Sequence, residues 1–344
     1  MDCAVHVALA FCDPHGTYCR HAAVTLASVF ANVKQAPVCV HIVHDETLSE
    51  YNKNVLKELA QKFGQKILFY DVTSLFNGPR KIDVSRLTKD GGKGTLFRLF
   101  LPELVQTDKI IYLDCDIIVQ TDIAELWQIP LGNSAVAAVP DVWALDARKG
   151  KKVPWRLGKV WNLLGVSHDS YFNAGVLVLN LKKIRRHYNF LDLVERFYAK
   201  YKNCVTLADQ DCLNWIFSND KLLLEERFNR INTENITEKD IDGCIWHMAG
   251  GSAKPWSSYT RPMVDDLYWH YLRLTPYCTN EQDLIHAILS GFASSNLMHL
   301  HSRECVKRLL RQLYEDIFKA HLWTVPYILL GTAKMYVRGK LRKR

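Results

Sequence analysis

Hydrophobic positions in the first 72 residues alternate between a strand spacing and a helix spacing. Three apolar runs have the length and composition of strands: residues 5–11, 38–45 and 67–72. The segments between them repeat apolar residues at helical spacing: Ala22, Leu26, Val29 and Phe30, then Tyr51, Val55, Leu56 and Leu59. The second helix is predicted to open with a capping box over residues 47–50 (Thr-Leu-Ser-Glu). This order predicts a parallel sheet covered by helices on both sides.

The middle of the chain adds further strands to this pattern. Apolar runs predict them at residues 110–120, 135–141, 172–181 and 244–250. Between the last two, a helical face is formed by Phe190, Val194, Phe197 and Tyr201. The last three strands each carry a polar residue near one end: Asp141, Asn173 and His247. Open α/β sheets bind ligands beyond the carboxyl ends of their strands, so polar strand ends mark where a site is expected.

The run "IIYLDCDIIVQ", residues 110–120, places two aspartates inside an apolar segment. A buried carboxylate costs several kcal/mol unless it is paired, protonated or bound to a metal. Because side chains alternate along a strand, we expect Asp114 and Asp116 to point to one side and Cys115 to the other. Two such carboxylates suit Mg²⁺ or Mn²⁺. In the alternative interpretation, Asp114 ends the strand and Asp116 pairs with a lysine or arginine.

Composition places the chain among folded α/β proteins. It has 344 residues, of which 48% are hydrophobic, enough for one large core or a core with an appendage. Apolar stretches long enough to span a bilayer are absent from the sequence, and residues 4–12 are interpreted as a first strand rather than an export signal. The ten cysteines include no CxxC pair, so free thiols in a cytosolic protein are expected.

The formal net charge of +8 is concentrated in the last part of the chain. Residues 301–344 contain 11 Lys/Arg and 3 Asp/Glu, so the first 300 residues balance to zero. A nucleic-acid groove needs positive charge over a face of the folded body, so no nucleic-acid partner is predicted. Short helical patterns from about residue 276 lead into an aromatic run and a basic end. That tail fits contact with an anionic membrane surface, with a solvated terminus as the alternative.

Four stretches together resemble glycosyltransferase family 8: "YLDCDIIV", "FNAGVLVLNLKKIRRH", "ADQDCLNWIF" and "HMAGGSAKPW". The resemblance runs from about residue 5 to about residue 260 and is nearest to bacterial retaining transferases of lipopolysaccharide and lipooligosaccharide cores. It implies a Rossmann-like, nucleotide-sugar-binding α/β domain of the GT-A type with a mixed central sheet, predicted for residues 1–275, followed by a small helical basic extension at residues 276–344. Together with the lack of an export signal and with the basic tail, it leads to the expectation of a cytoplasmic enzyme, peripheral on the cytoplasmic face of the inner membrane.

The resemblance also assigns site residues, motif by motif. Mn²⁺, or Mg²⁺, is expected on Asp114, Asp116 and His247, where it holds the diphosphate of a UDP-hexose. The remaining donor contacts are expected from Asp13 to uracil, Arg98 to sugar and phosphate, Gly250 and Lys254 to the phosphates, and Asn173, Asp209, Gln210 and Asp211 around the hexose. Taken singly, Arg98 also suits a surface ion pair, Asn173 a turn and Asp209 a helix N-cap.

The resemblance bears on mechanism through Gln210. Retention by double displacement would require a carboxylate nucleophile, and the corresponding position holds an amide. A front-face route is therefore predicted, in which UDP departs with metal assistance and its phosphate oxygen helps to deprotonate the incoming hydroxyl. Asp209 or Asp211 would then stabilise positive charge that develops on the sugar ring.

The acceptor is expected to be a saccharide, such as a lipopolysaccharide-type glycolipid core. The loop at residues 73–93 carries basic residues that either meet phosphorylated sugars or are solvated, namely Arg80, Lys81, Arg86, Lys89 and Lys93. Asp90 stands where the nearest relatives have an acceptor histidine. Two other functions fit parts of the sequence: a haloacid-dehalogenase-like phosphatase and a non-catalytic carbohydrate-binding scaffold. The phosphatase motif normally ends the first strand of its domain, whereas three predicted strands precede Asp114 here.

Overall fold

The computed structural model describes residues 4–34, 36–77, 93–201, 203–231, 236–250, 254–257 and 259–294. The strands of these residues are β1 (Val5–Ala10), β2 (Val38–His44), β3 (Lys66–Asp71), β4 (Ile110–Leu113), β5 (Ile117–Val119), β6 (Val136–Pro140), β7 (Phe172–Leu179), β8 (Lys221–Leu223) and β9 (Ile245–His247). The α-helices are α1 (Cys19–Asn32), α2 (Glu50–Lys62), α3 (Thr73–Asn77), α4 (Lys93–Leu96), α5 (Leu101–Leu104), α6 (Ile123–Gln128), α7 (Val142–Arg148), α8 (Trp155–Leu164), α9 (Leu181–His187), α10 (Phe190–Tyr201), α11 (Ala208–Ile216), α12 (Pro262–Leu272) and α13 (Glu281–Ser294). Short 3-10 helices cover Phe97–Phe100, Glu226–Asn229 and Glu238–Asp240.

The strands form a mixed central sheet and a small second sheet. The central sheet has the order β3-β2-β1-β4-β7-β6-β8, and β5 pairs with β9 in the second. Strands β1 to β4 run parallel, β7 lies antiparallel between β4 and β6, and β8 runs parallel to β6. The predicted mixed sheet is confirmed. Because β7 is reversed, its first residues lie at the same edge as the last residues of β4 and β6.

Side chains of the central strands alternate between two hydrophobic clusters, one on each face. Val7 and Leu9 of β1 belong to the cluster that includes α1, α2 and α12, whereas Ala8 and Ala10 belong to the cluster that includes α10 and α11. Helix α13 packs on the first of these clusters through its buried apolar residues. Burying the sheet on both faces explains why its strands are nearly continuously apolar.

Helix α2 begins differently from the prediction. The predicted capping box over residues 47–50 is wrong, because the N-cap is Ser49, whose hydroxyl accepts from the Asn52 amide at 3.2 Å. The Thr47 hydroxyl instead donates to Asp45 at 2.5 Å and accepts from the Asp13 amide at 2.7 Å. The predicted apolar face is also wrong at Tyr51, which is 69% exposed. The Thr47 hydroxyl is therefore used in tertiary contacts with Asp13 and Asp45 and does not cap α2.

The run at residues 110–120 is two strands and not one. Strand β4 pairs with β7 in the central sheet, whereas β5 leaves it to pair with β9. The turn between them holds the two aspartates, fixed by backbone bonds from Asp114 N to Gly175 O at 2.8 Å and from Met248 N to Asp116 O at 3.0 Å. The break at the turn lets both carboxylates face the sheet edge instead of entering the core.

Some helices and strands were not predicted, and some predicted features lie outside the described residues. Helices α7 and α8 and the edge strand β8 were not among the predicted elements. The basic loop residues Arg80, Lys81, Arg86 and Lys89, together with Asp90, lie outside the described residues, as does the tail at residues 301–344. None of the helices in the described ranges combines the length and apolar character needed to cross a bilayer.

Candidate active site

Two carboxylates, Asp114 and Asp116, meet at the carboxyl end of β4. Asp114 Oδ1 accepts hydrogen bonds from Arg98 Nη2 at 2.7 Å and from the Tyr112 hydroxyl at 2.8 Å. Its Oδ2 lies 3.7 Å from His247 Nε2, and Asp116 Oδ1 lies 3.4 Å from the same nitrogen. The turn therefore aims one oxygen of each aspartate at one imidazole, as the sequence predicted for these three residues.

Arg98 is a buried cation that links the turn to α11. Its Nε lies 3.0 Å from Asp209 Oδ2, and its Nη1 donates to the Ala174 carbonyl at 2.6 Å. Its guanidinium carbon lies 4.4 Å from the centre of the Tyr112 ring. Burial opposes the charge, but the carboxylates of Asp114 and Asp209 outweigh burial and raise the pKa of the guanidinium. Arg98 is therefore charged at every physiological pH.

A chain of hydrogen bonds sets the tautomer of His247. Asn173 Oδ1 accepts from the Gly175 backbone amide at 2.9 Å, which fixes the orientation of that side chain. The same oxygen accepts from Asn229 Nδ2 at 2.9 Å, so Asn229 Oδ1 faces His247 Nδ1 at 2.9 Å. His247 must then donate from Nδ1, which leaves the lone pair of Nε2 directed at the aspartates. A backbone amide thus orients a histidine through two asparagines.

This arrangement fits a divalent cation. Asp114, Asp116 and His247 offer ligand atoms that all lie within 4.8 Å of one another. Three converging lone pairs are stable only with a second proton on His247 or with a cation among them. Burial alone would raise the pKa of the Asp116 carboxyl, but a His247 that carries the second proton and the Lys254 ammonium, which contacts Asp116, hold that pKa well below its usual range. The donor set of carboxylates and one imidazole suits Mn²⁺ or Mg²⁺.

Gly175, the last residue of the "FNAG" segment, leaves space for the histidine. A Cβ built at this position would meet His247 Cε1 far inside van der Waals contact, Nδ1 at 2.6 Å and Asp114 Oδ2 at 3.0 Å. Any side chain on residue 175 must therefore displace the imidazole or the carboxylate. The glycine is required here by close approach rather than by backbone conformation.

Asp13 lies at the end of β1, held by its own set of donors. Its carboxylate accepts from the Tyr18 amide and from Asn52 Nδ2, each at 2.7 Å. The carboxylate is buried, whereas the Tyr18 side chain is 41% exposed. Gly250 is exposed, with φ +95°, and follows β9. The structure therefore places Asp13 after the carboxyl end of β1 and Gly250 three residues after His247.

The consecutive residues Asp209, Gln210 and Asp211 of α11 occupy unlike environments. Burial raises the pKa of Asp209, and Arg98 offsets part of that rise. Gln210 Oε1 accepts from the Ala174 amide at 3.0 Å, and its Nε2 donates to Asp141 at 3.2 Å. Both ends of the Gln210 amide are thus engaged.

Asp211 is completely buried and faces the start of its own helix. Its Oδ1 accepts from the Tyr171 hydroxyl at 2.6 Å, and its Oδ2 accepts from the amides of Thr206 and Leu207, each at 2.9 Å. These contacts occupy the carboxylate with three donors. Asp209 alone of the two α11 carboxylates contacts Arg98.

Sequence reasoning missed Asn229, which orients His247, and Tyr112, which donates to Asp114. Asn229 ends a 3-10 helix at residues 226–229, with no motif or periodicity to mark it. Tyr112 lies two residues before Asp114. Because side chains alternate along a strand, this spacing places both on the same side. That spacing was the available signal for Tyr112, and nothing comparable existed for Asn229.

Replacing Asn229 by alanine is expected to weaken Mn²⁺ binding about 10- to 100-fold, because His247 loses the acceptor that fixes its tautomer. Titration of free Mn²⁺ by electron paramagnetic resonance measures this. Asn54→Ala, an exposed asparagine on α2, is the control and should bind Mn²⁺ like the wild type. Wild-type affinity in Asn229→Ala would show that the amide does not position a ligand.

The chain matches known proteins over most of its length. Residues 10–260 match the family model described as Glycosyl transferase family 8. General stress protein A of Bacillus subtilis is 27% identical over 282 residues, which are 76% of this chain and 92% of that protein. The lipopolysaccharide 1,2-glucosyltransferase of Escherichia coli is 26% identical over 273 residues, 74% of this chain and 75% of that protein. Some relatives are longer: the chain spans 59% of a putative glycosyltransferase of Haemophilus influenzae.

Solved structures agree with the sequence matches. The galactosyltransferase LgtC, in complex with donor and acceptor sugar analogues, superposes with a TM-score of 0.63 at 26% identity, over 79% of this chain and 96% of LgtC. The mixed α/β fold is therefore of the GT-A type, as predicted. The family match covers the turn at Asp114 and Asp116, Arg98, α11 and His247. This chain belongs to glycosyltransferase family 8.

Proposed function

We propose that the chain transfers a hexose, galactose or glucose, from a UDP-sugar to a saccharide acceptor, with a divalent metal and with retention of anomeric configuration. The convergence of Asp114, Asp116 and His247 at the carboxyl edge of the sheet is the observation that carries this proposal. Family membership supports the class of reaction, and the donor set supports the metal.

Binding of the donor diphosphate is assigned to the same edge. Asp114, Asp116 and His247 would hold Mn²⁺, which when bound neutralises the two phosphates and stabilises the departing UDP. Lys254 reaches Asp116 and is long enough to turn to a phosphate oxygen once that carboxylate has another cation. Gly250 follows β9 in an exposed segment, so its backbone amide is accessible to the same phosphates.

The nucleoside and sugar ends are assigned to opposite sides of the turn. Asp13, preorganised by Asn52 and the Tyr18 amide, is proposed to accept from uracil, and Arg98 is proposed to contact sugar and phosphate. Asn173 holds the His247 chain through its Oδ1 and donates to Asp141 at 3.2 Å. Asn173 is linked through Asn229 to His247, and Asp209 is linked through Arg98 to Asp114. Because both residues lie so near the proposed metal ligands, we assign them to the border of the hexose.

The engaged amide of Gln210 supports a front-face route. Its oxygen accepts from the Ala174 backbone, so it is held in place but is a poor nucleophile. UDP would leave on the face from which the acceptor hydroxyl approaches, with a phosphate oxygen taking the hydroxyl proton. Asp209 is the carboxylate we assign to stabilise positive charge on the ring, because Asp211 is fully committed to the start of α11.

The acceptor is proposed to be a lipopolysaccharide-type glycolipid core. A relative named for glucosyl transfer to lipopolysaccharide supports this class. The basic tail at residues 301–344 would bring the enzyme to an anionic, cytoplasmic membrane surface where such acceptors are assembled.

Release of UDP from a panel of donors tests the proposal. Purified protein is incubated with UDP-glucose, UDP-galactose, UDP-N-acetylglucosamine or UDP-N-acetylgalactosamine, with Mn²⁺ and with EDTA. Slow release from one hexose donor that requires Mn²⁺ is expected, and it names the sugar. No release from any donor, together with no Mn²⁺-dependent binding of UDP, would overturn the proposed function.

Asp209 contacts Arg98, whereas Asp211 holds the start of α11. Substitution of Asp209 should therefore affect turnover, and substitution of Asp211 should affect stability. Asp209→Asn should lower turnover about 100-fold with little change in donor KM, since it removes charge that is needed in the transition state. Asp211→Asn should instead destabilise the protein by roughly 1–3 kcal/mol, because an amide cannot accept from all three donors. Urea unfolding and UDP release separate the two effects. Lost turnover at wild-type stability in Asp211→Asn would reverse the assignment.

A further inference from the structure

A second group of metal-binding side chains lies at the other end of the central sheet. Strands β1 and β2 are parallel, with His6 opposite Cys39 and Ala8 opposite His41. Because side chains alternate, His6, Cys39 and His41 all point to the same face. They lie near the first residues of these strands, whereas the candidate active site lies beyond the last ones. The two groups are therefore separated by the length of a strand.

The three side chains are oriented toward one another. Their ligand atoms all lie within 4.8 Å of each other, and His6 Nδ1 lies 2.9 Å from His41 Nε2. His41 Nδ1 lies 3.0 Å from the hydroxyl of Tyr70 on β3, which gives the other ring nitrogen a partner. Metal-ligating histidines are usually fixed in this way through the nitrogen that does not bind. Cys39 and His41 are buried, and His6 is half-buried.

The geometry points to a binding site for a borderline-soft divalent ion, Zn²⁺ foremost, on His6 Nδ1, Cys39 Sγ and His41 Nε2. Tetrahedral ligands at ordinary Zn–N and Zn–S distances stand about 3.3–3.6 Å apart, so these atoms need to move by about 1 Å or less. Solvent can supply a fourth ligand from the exposed side of His6. Thiolate and imidazole ligands favour Zn²⁺, whereas the carboxylate-rich group at the opposite edge favours harder ions.

Binding requires one proton to leave and one to move. In the metal-free protein a proton is shared between His6 Nδ1 and His41 Nε2, so only one of the two nitrogens has a lone pair. When the ion binds, that proton transfers to His6 Nε2, and the Cys39 thiol releases its proton to water. Both nitrogens and the thiolate then coordinate the ion. The bound ion would link β1 to β2 and thereby stabilise the sheet. This site does not depend on the proposed function.

Titration of the full chain with Co²⁺, a spectroscopic substitute for Zn²⁺, tests this site. Excess Mg²⁺ is present to occupy the carboxylate group. A thiolate-to-Co²⁺ charge-transfer band is expected in the near ultraviolet, at one ion per chain, and Zn²⁺ should bleach it. Cys39→Ser should abolish the band, and His6→Gln should weaken Co²⁺ binding at least about 10-fold. Cys204→Ser, at an exposed cysteine, should keep the band.

Two results would overturn the site. The first is the absence of any thiolate band in the wild-type chain, which would leave His6 and His41 as a hydrogen-bonded pair beside a buried thiol. The second is a band that survives Cys39→Ser but is lost in Cys115→Ser, which would assign the thiolate to the turn between Asp114 and Asp116. Melting curves give a separate readout, because Zn²⁺ should raise the Tm of the wild type more than that of Cys39→Ser.

Discussion

Asp116→Asn is expected to reduce Mn²⁺-dependent UDP release about 1000-fold, equivalent to about 4 kcal/mol of transition-state stabilisation. The carboxylate contributes one oxygen 3.4 Å from His247 Nε2 and the other to the Lys254 ammonium. An amide removes the negative charge that balances the Lys254 ammonium and offers Mn²⁺ a much weaker ligand. Mn²⁺ affinity, measured by electron paramagnetic resonance, should fall together with turnover.

Asp108→Asn is the matched control for this substitution. Asp108 also pairs with a lysine, Lys182 at 3.0 Å, but precedes β4 at the opposite end and is 66% exposed. Its loss should leave turnover and Mn²⁺ affinity unchanged, because exposed ion pairs contribute little. If Asp116→Asn bound Mn²⁺ as tightly as the wild type, Asp116 would not be a metal ligand.

Gly175→Ala is expected to be nearly as damaging, although residue 175 has no side chain to contribute. The added methyl group would stand 2.6 Å from His247 Nδ1 and 3.0 Å from Asp114 Oδ2. His247 is held by Asn229 and is buried, so it has little room to retreat. We expect a loss of roughly 1–3 kcal/mol in the free energy of unfolding. Mn²⁺ affinity should fall about 100-fold, since one ligand is displaced.

Gly158→Ala tests whether this effect comes from the contact rather than from the methyl group. Gly158 lies within α8, and a Cβ there would come no nearer than 3.8 Å to His168 Cε1. Alanine should stabilise that helix by roughly 0.5–1 kcal/mol and leave Mn²⁺ binding intact. Calorimetry and Mn²⁺ titration of both variants give the comparison. A Gly175→Ala protein with wild-type Mn²⁺ affinity would refute the close approach.

The sequence was sufficient for the fold class and for the convergence of three side chains, Asp114, Asp116 and His247, which are the proposed metal ligands. Period changes marked β1 to β3 and their helices, and motifs in the order of the family identified Asp114, Asp116 and His247. It was not sufficient for the break between β4 and β5, because β5 is specified by a partner, β9, that lies more than 100 residues away. Apolar residues on both sides of the turn look alike until that partner is known.

Positioning residues were harder to predict than ligands. Asn229 acts through a chain that runs from the Gly175 amide through Asn173, and none of those links is visible in local sequence. Thr47 and Ser49 are both of residue types that favour the N-cap position. Only the folded chain shows that Thr47 is recruited by Asp45 and Asp13, which leaves Ser49 to cap α2.

The pairing of β5 with β9 also has a consequence for biosynthesis. Ile117, Ile118 and Val119 leave the ribosome long before residues 245–247, so this strand must wait unpaired while the central sheet assembles. An open apolar edge is a template for intermolecular association. Fragments that stop short of β9 should therefore precipitate rather than fold, and chaperones that shield extended apolar segments should engage this nascent chain until β9 emerges.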